Sequence, residues 1–108
     1  MQNFQQAMKQ AQMLQQKVME LQKRLENELV EGVSGGGMVK TVCTCKGELK
    51  KIDIDNSLLD PSEKEMLEDL IVTALNNAKK NADAKTAEEM EKISSAAGLP
   101  KDLLNSAF

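Results

Sequence analysis

The chain has 108 residues, with 14 lysines and arginines against 17 acidic residues, and it contains no histidine. This length fits a single domain with a modest core, and no apolar run approaches the roughly 18–20 residues that span a bilayer. The lack of histidine excludes a Ser-His or Cys-His nucleophile pair. The N-terminal segment has no continuous apolar stretch of the signal-peptide kind, so we expect a cytoplasmic protein whose two cysteines stay reduced.

The first predicted element is a long helix over residues 3–27. Its apolar and small residues recur on a seven-residue frame, at Phe4, Ala7, Ala11, Leu14, Val18, Leu21 and Leu25. We call this stripe the seam. At about 1.5 Å per residue the helix is nearly 40 Å long, and a single apolar stripe cannot bury itself. The seam therefore predicts packing against the rest of the domain or against another chain.

The segment over residues 29–55 predicts a three-stranded antiparallel meander. Glycines at 35–37 mark one turn, Lys46-Gly47 marks the next, and β-branched residues are enriched between them. The strands are predicted near 29–33, over 38–45 and over 48–55. Leu49 and Ile52 have opposite parity in the last strand, which predicts a bulge near Lys50-Lys51.

Helical structure is predicted again over residues 61–94. Asp60 can cap its start, Pro61 suits the first helical position, and Glu63 completes a capping-box pattern. Apolar residues then continue at three- and four-residue spacing. A kink or break is expected near residues 81–86, which would divide the region into two helices. Beyond Gly98, residues 99–108 are expected to form a loose tail.

Three short motifs could suggest chemistry, but each has a structural interpretation. Cys43-x-Cys45 places two thiols on one face of a strand, yet a zinc site needs further soft or imidazole ligands, so the pair predicts core packing. The glycines at 35–37 lead into a strand and lack a following Lys-Ser/Thr, so they predict a turn and not a phosphate loop. Asp53 and Asp55 at a strand end could bind a cation, but such a pair more commonly marks a solvated strand edge. The sequence therefore predicts no catalytic site, no metal and no cofactor.

Residues 1–25 are locally basic, with four cations and one acid in a chain whose net charge is −3. All four cations lie off the seam, with Lys9 and Lys23 flanking one side of the outer face and Lys17 and Arg24 the other. Glu20 lies between them and could pair with its neighbours, which predicts an ordinary solvated face. The same cations would suit the phosphates of a nucleic-acid duplex, which demand charge and shape but no stacking aromatics. The residues alone leave both interpretations open.

Four stretches, in order and at matching spacing, resemble the YbaB/EbfC family of bacterial nucleoid-associated DNA-binding proteins. They are MKQAQM at 8–13, EGVSGGGMVK at 31–40, KIDID at 51–55 and MLEDLIVTALNNA at 66–78. Together they extend over most of the chain. The Cys43-x-Cys45 pair is less typical of the family, and the residues after Gly98 carry little of its pattern.

The resemblance implies an α+β homodimer with a small sheet and long helices that project like the arms of tweezers. It also implies binding to duplex DNA in the nucleoid, with low sequence specificity, an effect on nucleoid organisation and gene expression, and no catalysis. The residues expected near phosphates are Lys9, Lys17, Lys23 and Arg24, and secondarily Lys79, Lys80 and Lys85. The alternative is a protein-interaction adaptor or chaperone-like module whose long helices hold a partner protein.

Overall fold

The structure is a computed structural model that describes residues 2–97, and the tail predicted over 99–108 lies outside the described residues. Two long helices enclose a small sheet in the chain order α1, β1, β2, β3, α2. The elements are α1 Gln2–Leu25, β1 Leu29–Ser34, β2 Val39–Thr44, β3 Leu49–Ile54 and α2 Lys64–Ala97, with short 3-10 turns at Gly35–Gly37, Asn56–Leu58 and Pro61–Glu63. The predicted α+β class, with a long first helix and a meander, is confirmed.

The three strands form an antiparallel sheet in the order β1-β2-β3. The register of β3 against β2 shifts by one residue at Lys50, so the predicted bulge is confirmed. Ile52 pairs with Thr41, which is fully buried beneath α2. Because paired residues of antiparallel strands point to the same face, Ile52 also lies on the face that α2 packs against. The bulge brings Leu49, opposite Cys43, to that face as well.

Helix α2 crosses β1 and β2 at very close range. A Cβ atom added at Gly32 would lie 2.1 Å from the carbonyl oxygen of Ala74 and 2.3 Å from the amide nitrogen of Ala78. Thr41 Oγ1 donates a hydrogen bond to the same Ala74 carbonyl, at 3.0 Å. Small residues on the strand and on the helix therefore allow the two backbones to touch, and the buried hydroxyl has a partner.

The predicted break near residues 81–86 is wrong, because α2 is continuous from Lys64 to Ala97. The residues that resemble a break make contacts with the rest of the fold. The side-chain amide of Asn81 donates to the carbonyl oxygen of Glu31 at 2.6 Å, Ala82 is buried, and Lys85 forms an ion pair. Tertiary contacts thus overrule the weak helix preference of this polar stretch. The predicted cap is confirmed, since Asp60 accepts from the Ser62 amide at 3.0 Å, but Pro61–Glu63 form a 3-10 turn and α2 itself begins at Lys64.

Two apolar clusters hold the elements together. One joins α1 to α2 and to the end of β2, and its buried members are Leu21, Leu25, Cys45 and Met90. The other lies between α2 and the sheet, and its buried members are Val39, Leu58 and Ala74. The C-terminal part of the seam therefore packs within its own chain, as one of the two predicted arrangements requires.

The N-terminal part of the seam has no such cover. Residues 3–13 of α1 are exposed throughout, and Phe4 keeps 69% of its surface. The molecule measures 73 × 20 × 17 Å with a radius of gyration of 19.4 Å, against about 13 Å for a compact domain of 100 residues. The two helices thus make a long rod beside a small sheet.

Candidate nucleic-acid interface

The outer face of α1 carries three exposed lysines. Lys9, Lys17 and Lys23 lie off the seam, and none of them forms an ion pair with any residue in the described range 2–97. Glu20, the acid within this face, accepts a hydrogen bond from Gln16 at 3.4 Å, and no salt bridge joins it to these lysines in that same range. The face is therefore solvated, but within residues 2–97 Glu20 forms none of the ion pairs with Lys17, Lys23 or Arg24 that its spacing allows.

Arg24 has a different environment from these lysines, although the sequence groups them together. Its Nη2 atom lies 2.6 Å from Glu89 Oε2 of α2, and its Nε atom lies 3.8 Å from Glu28 Oε2. The guanidinium thus joins the C-terminal end of α1 to α2. Of the predicted phosphate contacts, this one is already occupied by carboxylates of the same chain.

Lys85 belongs to the same junction. Its Nζ atom lies 3.5 Å from Glu28 and 3.7 Å from Glu89. Lys92 approaches Glu89 at 3.5 Å and Glu88 at 3.8 Å. Three cations and three carboxylates therefore balance each other where α1 and α2 meet. The members of this junction network are Arg24, Glu28, Lys85, Glu88, Glu89 and Lys92.

The junction network favours the charged forms of Lys85 and Glu89. The charge of Glu28 raises the pKa of Lys85 above its ordinary value. Burial alone would raise the pKa of the Glu89 carboxyl, but the hydrogen bond and charge of Arg24, together with those of Lys92, lower it overall. Each ion thus stabilises the charged form of its partner.

Lys79 and Lys80 are exposed on α2 and have no ion pair within the part of the chain that the structure describes. Lys79 lines a cleft of about 430 Å³ between α2 and the sheet, together with Leu49 of β3 and Leu75 of α2. The structure therefore brings Lys79 to the side of the sheet and not to the face of α1.

Cys43 and Cys45 are free and buried, which confirms the predicted core packing. Burial raises the pKa of both thiols, and for Cys45 the nearby Glu28 adds to the effect. Among residues 2–97 no group of three or more potential ligands is arranged to hold a metal ion. The thiols are thus protonated apolar side chains at neutral pH.

The inner face of β3 is only partly covered, because α2 packs on β1 and β2. Leu49 and Ile52 remain 43% and 38% exposed although they point to the α2 side. Leu49 and Leu75 line a groove between β3 and α2, and Ile52 is exposed further along the same face of β3. No described helix is long and apolar enough to cross a membrane.

The fold and this charged helix define a small α+β protein with two long helices around a meander, and known proteins share both sequence and fold with it. A nucleoid-associated protein of Granulibacter bethesdensis is 47% identical over 100 residues, covering 93% of this chain and 94% of that protein. One from a Bradyrhizobium species is 50% identical over 93 residues, covering 86% and 88%. A crystal structure of an uncharacterised Helicobacter pylori protein has a TM-score of 0.63 at 28% identity, covering 76% of this chain and 86% of that chain.

The sequence profile of the YbaB/EbfC DNA-binding family matches residues 1–97. The chain therefore belongs to this family of nucleoid-associated DNA-binding proteins, which is not an enzyme class. Sequence reasoning identified the family and the basic face, but it missed Glu89 as the partner of Arg24. The i,i+4 spacing between Lys85 and Glu89 is visible in the sequence. The pairing of Glu89 with Arg24, 65 positions away, is not.

Proposed function

We propose that this protein binds duplex DNA as a homodimer of low sequence specificity in the nucleoid, and thereby affects nucleoid organisation and gene expression. The observation that carries the proposal is the α1 face on which Lys9, Lys17 and Lys23 are exposed and, within residues 2–97, unpaired. From Lys9 to Lys23 the helix rises about 21 Å. That length corresponds to about six phosphate spacings along one DNA strand.

The chemistry of this face favours contacts to the DNA backbone. Lysine ammonium groups bind phosphates as point charges and do not by themselves read bases. The chain has no tryptophan or tyrosine, so aromatic stacking on single strands does not support an alternative. Binding should therefore depend on duplex shape and salt more than on sequence. Lys79 and Lys80 are secondary contacts in this proposal.

The affinity of the protein for two unrelated duplexes of equal length tests the proposal. If three lysines from each of two chains neutralise six phosphates, log affinity should fall against log salt with a slope of about −5. Fluorescence anisotropy from low to moderate salt measures this slope. We expect similar slopes and affinities on both duplexes. A slope near zero would contradict phosphate binding, and a large preference for one duplex would contradict low specificity.

The half-covered sheet supports the homodimer. The groove between β3 and α2 exposes Leu49 beside Leu75, and Ile52 is exposed next to it on the same face of β3. Apolar area of this kind gains about 25 cal/mol per Å² when it is buried. A second copy of the chain is the occupant we propose. In a dimer with a two-fold axis, α2 of each chain would pack over the partly covered β3 of its partner. A single symmetric interface would then bury the grooves of both chains.

The substitution Ile52→Asp should weaken the dimer. It places a charge in each of two symmetric contacts, and loss of one buried apolar side chain per chain costs about 1.5 kcal/mol or more. The dissociation constant should therefore rise at least about 100-fold, as measured by sedimentation velocity over a concentration series. The control is Leu29→Asp, which changes an exposed apolar residue on the opposite face. If Leu29→Asp dissociated the dimer and Ile52→Asp did not, the groove would not be the dimer interface.

The adaptor function remains a second candidate because the N-terminal part of the seam is exposed. Phe4 and Met8 keep 69% and 50% of their surface, and an apolar stripe of this kind can receive a helix of a partner protein. Phe4→Gln separates the two functions. If the protein binds DNA through the lysines of α1, this substitution should leave the salt dependence of DNA binding unchanged. If the protein is an adaptor, the wild type should bind DNA only weakly, and the substitution should abolish capture of the partner protein in a pull-down.

A further inference from the structure

Glu89 is the centre of the junction network. Its carboxylate accepts from Arg24 Nη2 at 2.6 Å and lies 3.7 Å from Lys85 and 3.5 Å from Lys92. Its side chain is only 13% exposed, whereas that of Arg24 is 57% exposed. Arg24 is thus accessible from solvent, but its charge is compensated from the protein side.

The position of Glu89 also matters because the basic face begins beside it. A cleft of about 400 Å³ between α1 and α2 is lined by Lys17, Arg24, Glu89 and Lys92. An anion that approaches Lys17 from this side meets Arg24 at the same cleft. The guanidinium, however, already donates to the Glu89 carboxylate, and carboxylate and phosphate oxygens compete for the same guanidinium N–H groups.

We propose that Glu89 is a positioning residue that takes the place of a DNA phosphate and holds Arg24 against the protein, beside Lys85, which Glu28 also holds. The two cations then contribute little to DNA binding, and the free lysines of α1 carry it. The inference rests on the proposed DNA-binding function and adds to it a residue that sets the strength and salt dependence of binding. Removing the carboxylate charge releases Arg24 towards DNA, whereas Lys85 keeps Glu28 as its partner at 3.5 Å.

The substitution Glu89→Gln tests this inference with a charge-matched control. Glu88→Gln removes the same charge one residue away, from a side chain that is 61% exposed and that, within residues 2–97, forms an ion pair with Lys92 alone. Each released cation that reaches a phosphate steepens the salt slope by about 0.9. We therefore expect Glu89→Gln to steepen the slope by about one unit per chain and to tighten binding at low salt. The control should change the slope by less than half a unit.

A double-mutant cycle with Arg24→Gln identifies the released cation. In the wild-type background this substitution should leave the slope nearly unchanged, because Arg24 is held by Glu89. In the Glu89→Gln background it should make the salt slope shallower by about one unit per chain. Thermal unfolding of each variant shows whether it is folded at the temperature of the titration, and Arg24→Gln alone still tests the inference if Glu89→Gln is not folded.

Two results would overturn the inference while leaving DNA binding intact. The first is an equal change of slope in Glu89→Gln and Glu88→Gln, since net charge alone would then explain the effect. The second is an equal reduction of the salt slope by Arg24→Gln in the wild-type and Glu89→Gln backgrounds, because Arg24 would then contact DNA in the wild type. Failure of the proposed function has a different signature, namely a wild-type protein that binds duplex DNA with no salt dependence or not at all.

Discussion

Gly32→Ala should destabilise the fold by about 3 kcal/mol or more. The added Cβ would lie 2.1 Å from the backbone oxygen of Ala74 and 2.3 Å from the backbone nitrogen of Ala78. These are backbone atoms of α2, so no flexible side chain can yield, and the helix must move away from β1. Overpacking of a well-packed core typically costs about 1–3 kcal/mol and occasionally more. Thermal and urea unfolding followed by circular dichroism, at one protein concentration, measure the loss.

Gly36→Ala is the control for this substitution. Gly36 has a φ of +65°, so alanine is strained there, but nothing lies within 4 Å of the added Cβ. The strain of a left-handed residue is about 1–2 kcal/mol. A loss at Gly32 well above that at Gly36 would assign the effect to the close approach of α2. Equal losses, or a smaller loss at Gly32, would contradict the clash.

The close approach at Gly32 also matters for the position of the long helices. Thr41 donates to the Ala74 carbonyl, and Asn77 and Asn81 donate to carbonyl oxygens of β1 at 2.9 and 2.6 Å. These contacts fix the angle at which α2 leaves the sheet. Because α1 packs on the far end of α2, a shift at Gly32 would also displace the basic face.

Local patterns were sufficient for most of the fold. The seven-residue frame predicts α1, the parity change between Leu49 and Ile52 predicts the bulge, and Asp60 followed by Pro61 predicts the start of the second helical region. These signals depend on neighbours within a few residues. The continuity of α2 through residues 81–86 does not, because Asn81 and Lys85 obtain their partners from β1 and from the end of α1.

Part of the candidate site could likewise be predicted from local sequence patterns, and part depends on contacts between distant segments. Helical periodicity separates the cations of α1 from the seam, so the basic face could be predicted from sequence. The difference between the free lysines and Arg24 could not, since it depends on a carboxylate that the fold brings from the other helix. Lys79 is a similar case, because only the packing of α2 on the sheet places it at the groove beside β3.

The junction network and the apolar cluster beneath it act on the same helix pair. Leu21 and Leu25 bury the C-terminal end of the seam against Met90, and the ion pairs lie at the margin of this cluster. Exposed ion pairs contribute little stability, typically about 0–1 kcal/mol. The apolar contacts therefore hold α1 in place, and the main effect of the network is on charge, because it determines which cations remain available to DNA.

The triple substitution of Lys9, Lys17 and Lys23 to glutamine should have the largest effect on DNA binding. Glutamine keeps a long polar side chain and a good helix propensity, so α1 should stay folded while its free charges are lost. With six cations removed from a dimer, the salt slope should change from about −5 to near zero. Affinity at low salt should fall at least 100-fold. Anisotropy titrations at several salt concentrations measure both quantities.

A charge-matched variant decides whether the position of these charges matters. Glutamine at Lys50, Lys51 and Lys64 removes the same number of cations from exposed sites outside α1, two of them already paired with Glu48 and Asp53. Its slope should remain close to that of the wild type. If affinity fell equally in both triple variants, binding would depend on the overall charge of the protein, and the assignment of the interface to α1 would be wrong. A fall confined to the α1 variant would support that assignment and, because Arg24 is retained there, would agree with its occupation by Glu89.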